Sequence, residues 1–88
     1  MPWIIEFDEG VEKTLKKLGP QASRLILDYL RDRIAPAKDP RSSGKPLQGP
    51  LKGLWRYRVG DYRIISRIED DKFVVLVVAV GHRKNVYE

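Results

Sequence analysis

The 88-residue chain has no cysteine and a single histidine. Without cysteine there is no disulfide framework and no thiolate for nucleophilic or metal chemistry, and a reducing, cytosolic setting is the simplest expectation. One histidine, His82, excludes a histidine metal cluster and a paired-histidine ribonuclease site, leaving at most a single proton-transfer role. Its plainer reading is a polar residue at a strand end. The one long apolar run, Phe73 to Val80, is far too short to span a bilayer. The N-terminal stretch Met1-Pro2-Trp3-Ile4-Ile5-Glu6 has no basic flank and soon turns acidic, unlike a signal peptide. No glycine pattern flanks a strand-to-helix transition, so Gly44 and Gly49 do not form a phosphate-binding loop.

What remains is a single domain, residues 1–88, with one modest core. Apolar residues make up 42% and charged residues 33%, as in soluble globular proteins. The net charge of +5 is unevenly spread. Residues 1–40 hold seven Lys/Arg and seven Asp/Glu, whereas residues 41–88 hold ten and five. A polyanionic partner, nucleic acid or an acidic protein, fits that excess. A merely solubilising surface charge is the alternative.

Trp3 to Phe7 reads as a short strand. Asp8 is a good N-cap for a helix whose Val11, Leu15 and Leu18 recur at helical spacing and which Gly19 ends. Asp8, Glu9 and Glu12 are better explained by capping and the helix dipole than by catalysis. Pro20 opens a second helix with Ala22, Leu25, Ile26, Tyr29, Leu30 and Ile34 on its apolar stripe. Prolines and glycines between Pro36 and Gly53 break any regular element, and Ser42-Ser43 within that loop reads as turn chemistry. Strands follow at 54–59, 62–68 and 72–80, the last buried on both faces at the centre of the sheet, with Asp70-Asp71 turning into it. The expected class is α+β: two N-terminal helices packed on a mainly antiparallel four-stranded sheet, in the order β-α-α-β-β-β.

The strongest signal lies in the hairpin Leu54-Trp55-Arg56-Tyr57-Arg58-Val59-Gly60-Asp61-Tyr62-Arg63-Ile64-Ile65-Ser66-Arg67-Ile68. Alternation puts Arg56, Arg58, Arg63 and Arg67 on one face and Trp55, Tyr57, Tyr62 and Ile64 on the other. Trp55 and Tyr57 therefore read as core rather than as an RNA-stacking platform. A two-residue loop at Gly60-Asp61 sets Val59 opposite Tyr62, Tyr57 opposite Ile64, Trp55 opposite Ser66 and Arg58 opposite Arg63. Like charges face to face destabilise a sheet, so this pair implies an anion between them. Guanidinium forks match phosphate. The competing reading is a solvated sheet face. Near the C-terminus, Tyr87 follows Arg83-Lys84; a phenol beside cations has a lowered pKa and can move protons, although a tail tyrosine capping the core edge is the commoner role.

Together these segments resemble the RelE/ParE superfamily of bacterial type II toxins, in particular its RelE branch. The carriers are Ile4-Ile5-Glu6-Phe7-Asp8, Leu15-Lys16-Lys17-Leu18, Lys45-Pro46-Leu47-Gln48-Gly49, the hairpin Trp55 to Arg63, and Val78-Ala79-Val80-Gly81-His82-Arg83-Lys84-Asn85-Val86-Tyr87. They span essentially the whole chain. The resemblance implies a RelE-like fold and a metal-independent, cofactor-free endoribonuclease that cuts mRNA in the ribosomal A site through the RNA's own 2′-hydroxyl. It places the family's catalytic residues at Arg56, Arg58, Arg63, Arg83 and Tyr87. Arg41, Lys45, Lys52, Arg67, His82 and Lys84 are the further candidates for RNA or ribosome contact. The best-known RelE proteins carry lysines where Arg56 and Arg58 stand. Arginine does not give up its proton, so these two can stabilise charge but not act as bases, which moves proton transfer to Tyr87 with His82 in reserve. Arg63 and Arg83 would clamp the scissile phosphate. The implied partners are a cognate RelB-like antitoxin, the ribosome and mRNA, with operator DNA reached only through the antitoxin complex and no membrane. A ParE-like gyrase inhibitor and a non-catalytic nucleic-acid-binding module are the alternatives.

Overall fold

The structure, a computed structural model, describes residues 2–82. Strand β1 (Ile4–Phe7) leads to helices α1 (Val11–Leu18) and α2 (Pro20–Tyr29), and α2 runs on as a π-helical turn over Leu30–Ile34. After a long loop come β2 (Lys45–Pro46), β3 (Trp55–Val59), β4 (Tyr62–Glu69) and β5 (Val74–His82). The sheet order is β1-β5-β4-β3-β2. β1 lies parallel to β5 and the other pairings are antiparallel. The expected helix pair and mainly antiparallel sheet are present, with one strand added at the edge.

That added strand is β2. Its two residues pair Lys45 with Arg56 and Pro46 with Trp55, inside a loop expected to hold no regular element. Proline lacks the N–H of an inner ladder but is tolerated on an edge strand, which is where Pro46 stands. The start of α1 also differs from expectation. Asp8 is not the N-cap: its N–H still belongs to the sheet, donating to the Val77 carbonyl at 2.8 Å. Its carboxylate accepts from the Glu9 N–H instead, and Gly10, at φ 93°, turns the chain into the helix. Beyond Tyr29 the helix widens by one residue, with the Ala35 N–H reaching the Leu30 carbonyl. Leu30 and Ile34 thereby both stay in the core. β5 is an interior strand between β1 and β4, and β4 is the middle of the five.

The helices cover one face of the sheet. Val11, Leu15, Ile26, Leu30 and Ile34 pack with Tyr57, Ile64, Val75, Val77 and Val80 to form the core, and Trp55, Val59 and Tyr62 border it. The long loop is fastened to the core by aromatic donors. The Tyr57 hydroxyl donates to the Pro40 carbonyl at 2.6 Å, Trp55 Nε1 to the Ser43 carbonyl at 2.6 Å and Trp3 Nε1 to the Lys38 carbonyl at 3.4 Å. Burial pushes the Tyr57 phenol well above its ordinary pKa, so it stays a neutral donor.

Candidate functional site

The hairpin adopts the register that its turn dictates. Val59 faces Tyr62, Arg58 faces Arg63, Tyr57 faces Ile64 and Trp55 faces Ser66. Gly60 sits at φ 57° and Asp61 has no positive φ, the pattern of a type II′ turn with glycine first. Tyr57 and Ile64 are fully buried under the helices, so the arginines are carried on the outer face.

Across that face the cations form a ladder. Arg58 opposes Arg63 on β3 and β4. One step along β3, Arg56 opposes Lys45 on β2, a second like-charge pair. Directly opposed Cβ atoms lie about 5 Å apart. Two unit charges about 4 Å apart repel by about 1 kcal/mol in water and about 4 kcal/mol in the partly screened surroundings of a protein surface. Long side chains can splay to relieve this, but a bound phosphate turns the repulsion into attraction for both members. Arg63 is half-buried and stands opposite Gly81, which presents no side chain to crowd it. Ile65, between Arg63 and Arg67 on the outer face, is fully buried. Arg67 is exposed and lies four residues, about 13 Å, along β4 from Arg63.

Beside the ladder is an open cleft of about 250 Å³, lined by Tyr29, Gly44, Lys45, Arg56 and Arg58. Gly44 has φ 81°, and a Cβ there would meet the Arg56 carbonyl oxygen and come within 2.7 Å of Trp55 Nε1. Only glycine fits where the loop presses onto β3. Neither the Lys45–Arg56 pairing nor the place of Tyr29 follows from alternation within one hairpin. The signal that was available was Lys45 standing directly before Pro46, a residue that suits an edge strand.

The remaining candidates divide. Arg41 is not part of the ladder: its guanidinium grips Asp70 in a bidentate pair at 2.8 and 2.9 Å, tying the long loop to the β4–β5 turn. This hydrogen bonding raises the Arg41 pKa and lowers that of Asp70. Lys52 is exposed just after a 3-10 turn over Gly49–Leu51, outside the sheet. His82 faces Tyr62 across β4 and β5, with the rings edge-on at 5.9 Å. That places it on the helix side of the sheet, away from the arginines. Arg83, Lys84 and Tyr87 lie outside the described residues. Ser42 and Ser43 serve the loop: the Ser42 hydroxyl donates to the Asp39 carbonyl at 2.8 Å, and the Ser43 carbonyl receives Trp55. Among the described residues no group of three or more His, Cys, Asp or Glu could hold a metal.

Two helices on one face of a mixed five-stranded sheet, with the hairpin's arginines on the other, define the RelE-like α+β class. The chain belongs to the RelE/ParE superfamily of type II toxins: the family described as the ParE toxin of the type II toxin–antitoxin system parDE matches residues 5–87. It is similar to toxin RelG of Mycobacterium tuberculosis, 30% identical over 87 residues that span 99% of this chain and 98% of that protein. The mRNA interferase toxin RelE of Escherichia coli K12 is 29% identical over 85 residues, 96% of this chain and 86% of that protein. Among solved structures, the toxin–antitoxin complex RelBE2 of M. tuberculosis superposes with a TM-score of 0.85 at 29% identity, covering 94% of this chain and 100% of that one. The archaeal RelE–RelB complex of Pyrococcus horikoshii gives 0.71 at 26% identity, covering 98% and 100%.

Proposed function

We propose that this toxin is a ribosome-dependent endoribonuclease that cleaves mRNA in the A site. The observation that carries the reading is the cation ladder, in which Arg58 faces Arg63 and Arg56 faces Lys45. A scissile phosphate seated between Arg58 and Arg63 is attacked by the neighbouring 2′-oxygen. The 2′-O–P bond forms and the P–O5′ bond breaks, leaving a 2′,3′-cyclic phosphate and a 5′-hydroxyl. Charge grows on the phosphoryl oxygens along this path, and guanidinium donors fixed in place beforehand stabilise it most where it is largest. The arginines keep their protons, so they neither accept the 2′-hydroxyl proton nor donate one to O5′. Tyr87 takes the proton-transfer role and Arg83 joins the phosphate clamp. His82, on the other face of the sheet, is the poorer proton carrier.

The relatives solved as toxin–antitoxin complexes support a RelB-like antitoxin as partner. Ribosome, mRNA and, through the antitoxin complex, operator DNA complete the set, with action in the cytoplasm. Primer extension on mRNA from a translating extract tests the reading. Cuts within A-site codons by the wild type, lost in Arg63→Ala and Tyr87→Phe, are the expected result. A second reading is the ParE-like one, gyrase inhibition; the matched family is described as the ParE toxin of the type II system parDE. Intact mRNA together with blocked supercoiling would replace the first reading with that one. Intact mRNA with salt-sensitive RNA binding and unaffected gyrase would leave a non-catalytic binding module.

A further inference from the structure

The proposed chemistry uses the arginines and leaves the far wall of the cleft without a role. That wall is Tyr29, at the end of α2 where the helix widens into its π turn. Its ring packs against Tyr57 with centroids 6.2 Å apart and planes tilted by 57°. Tyr57 is fully buried and bonded to the Pro40 carbonyl, so Tyr29 leans on a well-packed support. Tyr29 itself is only half-buried and also lines the cleft. The other walls are Lys45, Arg56, Arg58 and the bare backbone of Gly44; among the described residues none of the lining side chains is acidic. A half-buried aromatic at a core edge is commonplace. One held against a rigid neighbour in a cleft walled by three cations has the two chemistries that a nucleotide needs, a cationic wall for phosphate and a flat apolar surface for a base.

We infer that this cleft is a nucleotide subsite, in which one base of the RNA stacks on Tyr29 while its phosphate lies against Lys45 and Arg56. The inference rests on the reading that the substrate is RNA, and it adds a positioning element to the phosphate clamp at Arg58 and Arg63. β2 is only two residues long, so past Gly44, where the loop presses onto β3, no strand among the described residues pairs with Arg58 and Val59 on that side and RNA can approach the cleft there. Stacking accepts any base, so Tyr29 sets position along the RNA rather than sequence.

The test is equilibrium binding of a short single-stranded RNA, 2′-O-methylated so that it cannot be cut, by the full chain at low salt. Tyr29→Phe keeps the ring and binds within about twofold of wild type. Tyr29→Leu keeps apolar bulk but loses the π face, and weakens binding on the order of tenfold with an unchanged salt dependence. Lys45→Ala instead lowers the slope of log affinity against log salt by about 0.7. An oligonucleotide lacking the stacked base loses affinity for wild type by the same factor as Tyr29→Leu, and Tyr29→Leu binds it no worse than the intact one. The abasic probe works on the wild-type protein, so a folding defect in a variant cannot imitate the result. Equal binding by wild type and Tyr29→Leu, additive losses from variant and abasic probe, or no RNA binding by wild type would each overturn the subsite. Cleavage of mRNA in the translating extract is read separately. Its presence alongside any of these outcomes leaves the endonuclease standing without the subsite.

Discussion

Arg41 and Arg58 come from the same basic half of the chain, and their surroundings give them opposite tasks. Arg41 gives two of its guanidinium N–H groups to Asp70, whose carboxylate offsets its charge. Arg58 is exposed on the outer face and is set directly opposite Arg63. A cation that meets a carboxylate ties two segments together, whereas Arg58 meets a second cation across the sheet, a pairing that a bound anion would stabilise. Position on the surface does not tell the two apart. The identity of the facing residue does.

The comparison breaks most sharply at the ladder. Arg58→Ala and Arg63→Ala should each lower the rate of mRNA cleavage by about 10²-fold, the usual loss when one charge-stabilising donor is removed. Arg58→Ala should leave the melting temperature unchanged or slightly higher, because a like-charge contact goes with it. A clear drop in melting temperature would make Arg58 structural and collapse the contrast with Arg41. Next in size is Gly44→Ala. The positive φ and the missing space beside Trp55 should cost about 2 kcal/mol or more in denaturant unfolding, with cleavage impaired as β2 loosens. Tyr57→Phe should follow at about 1 kcal/mol, since the Pro40 carbonyl loses its buried donor. Unchanged stability there would mean that the loop is held without that bond.

The smallest effect belongs to Arg41. Arg41→Ala should cleave mRNA at nearly the wild-type rate and lose only a little stability, because the pair with Asp70 is exposed. Its signature is in the pH profile. Asp70 is held below the ordinary aspartate value of 3.8, so its contribution is present above that pH and disappears as pH falls through the lowered folded pKa. Wild type and Arg41→Ala should therefore differ in melting temperature near neutral pH and converge in strong acid. A difference that persists in acid would show that Arg41 acts by packing instead.

Much of this was legible in the chain because it is local. The period-two alternation from Trp55 to Val59 and the two-residue Gly60-Asp61 loop settle which residues face each other, whatever else the protein does. The helix pair broken at Gly19-Pro20 and the apolar β5 were legible for the same reason. Asp8 misled because a good capping residue was already committed to the sheet through its N–H, and Gly10 took over the turn. The loop from Pro36 to Gly53 misled because its prolines and glycines do prevent a helix or a long strand, yet two residues are enough to pair with β3.

The sequence by itself determined the arginine face, the Arg58–Arg63 opposition and the division between a buried aromatic side and an outer cationic side. These follow from backbone geometry over a few consecutive residues. Only the tertiary structure decided that Lys45 extends the ladder, that Tyr29 stands across the cleft from it, and that Arg41 spends its charge on Asp70, 29 residues away. Those arrangements depend on where a loop is pinned and how a helix is laid across the sheet. They are set by the packing of the whole core around Tyr57, and no local period in the chain encodes them.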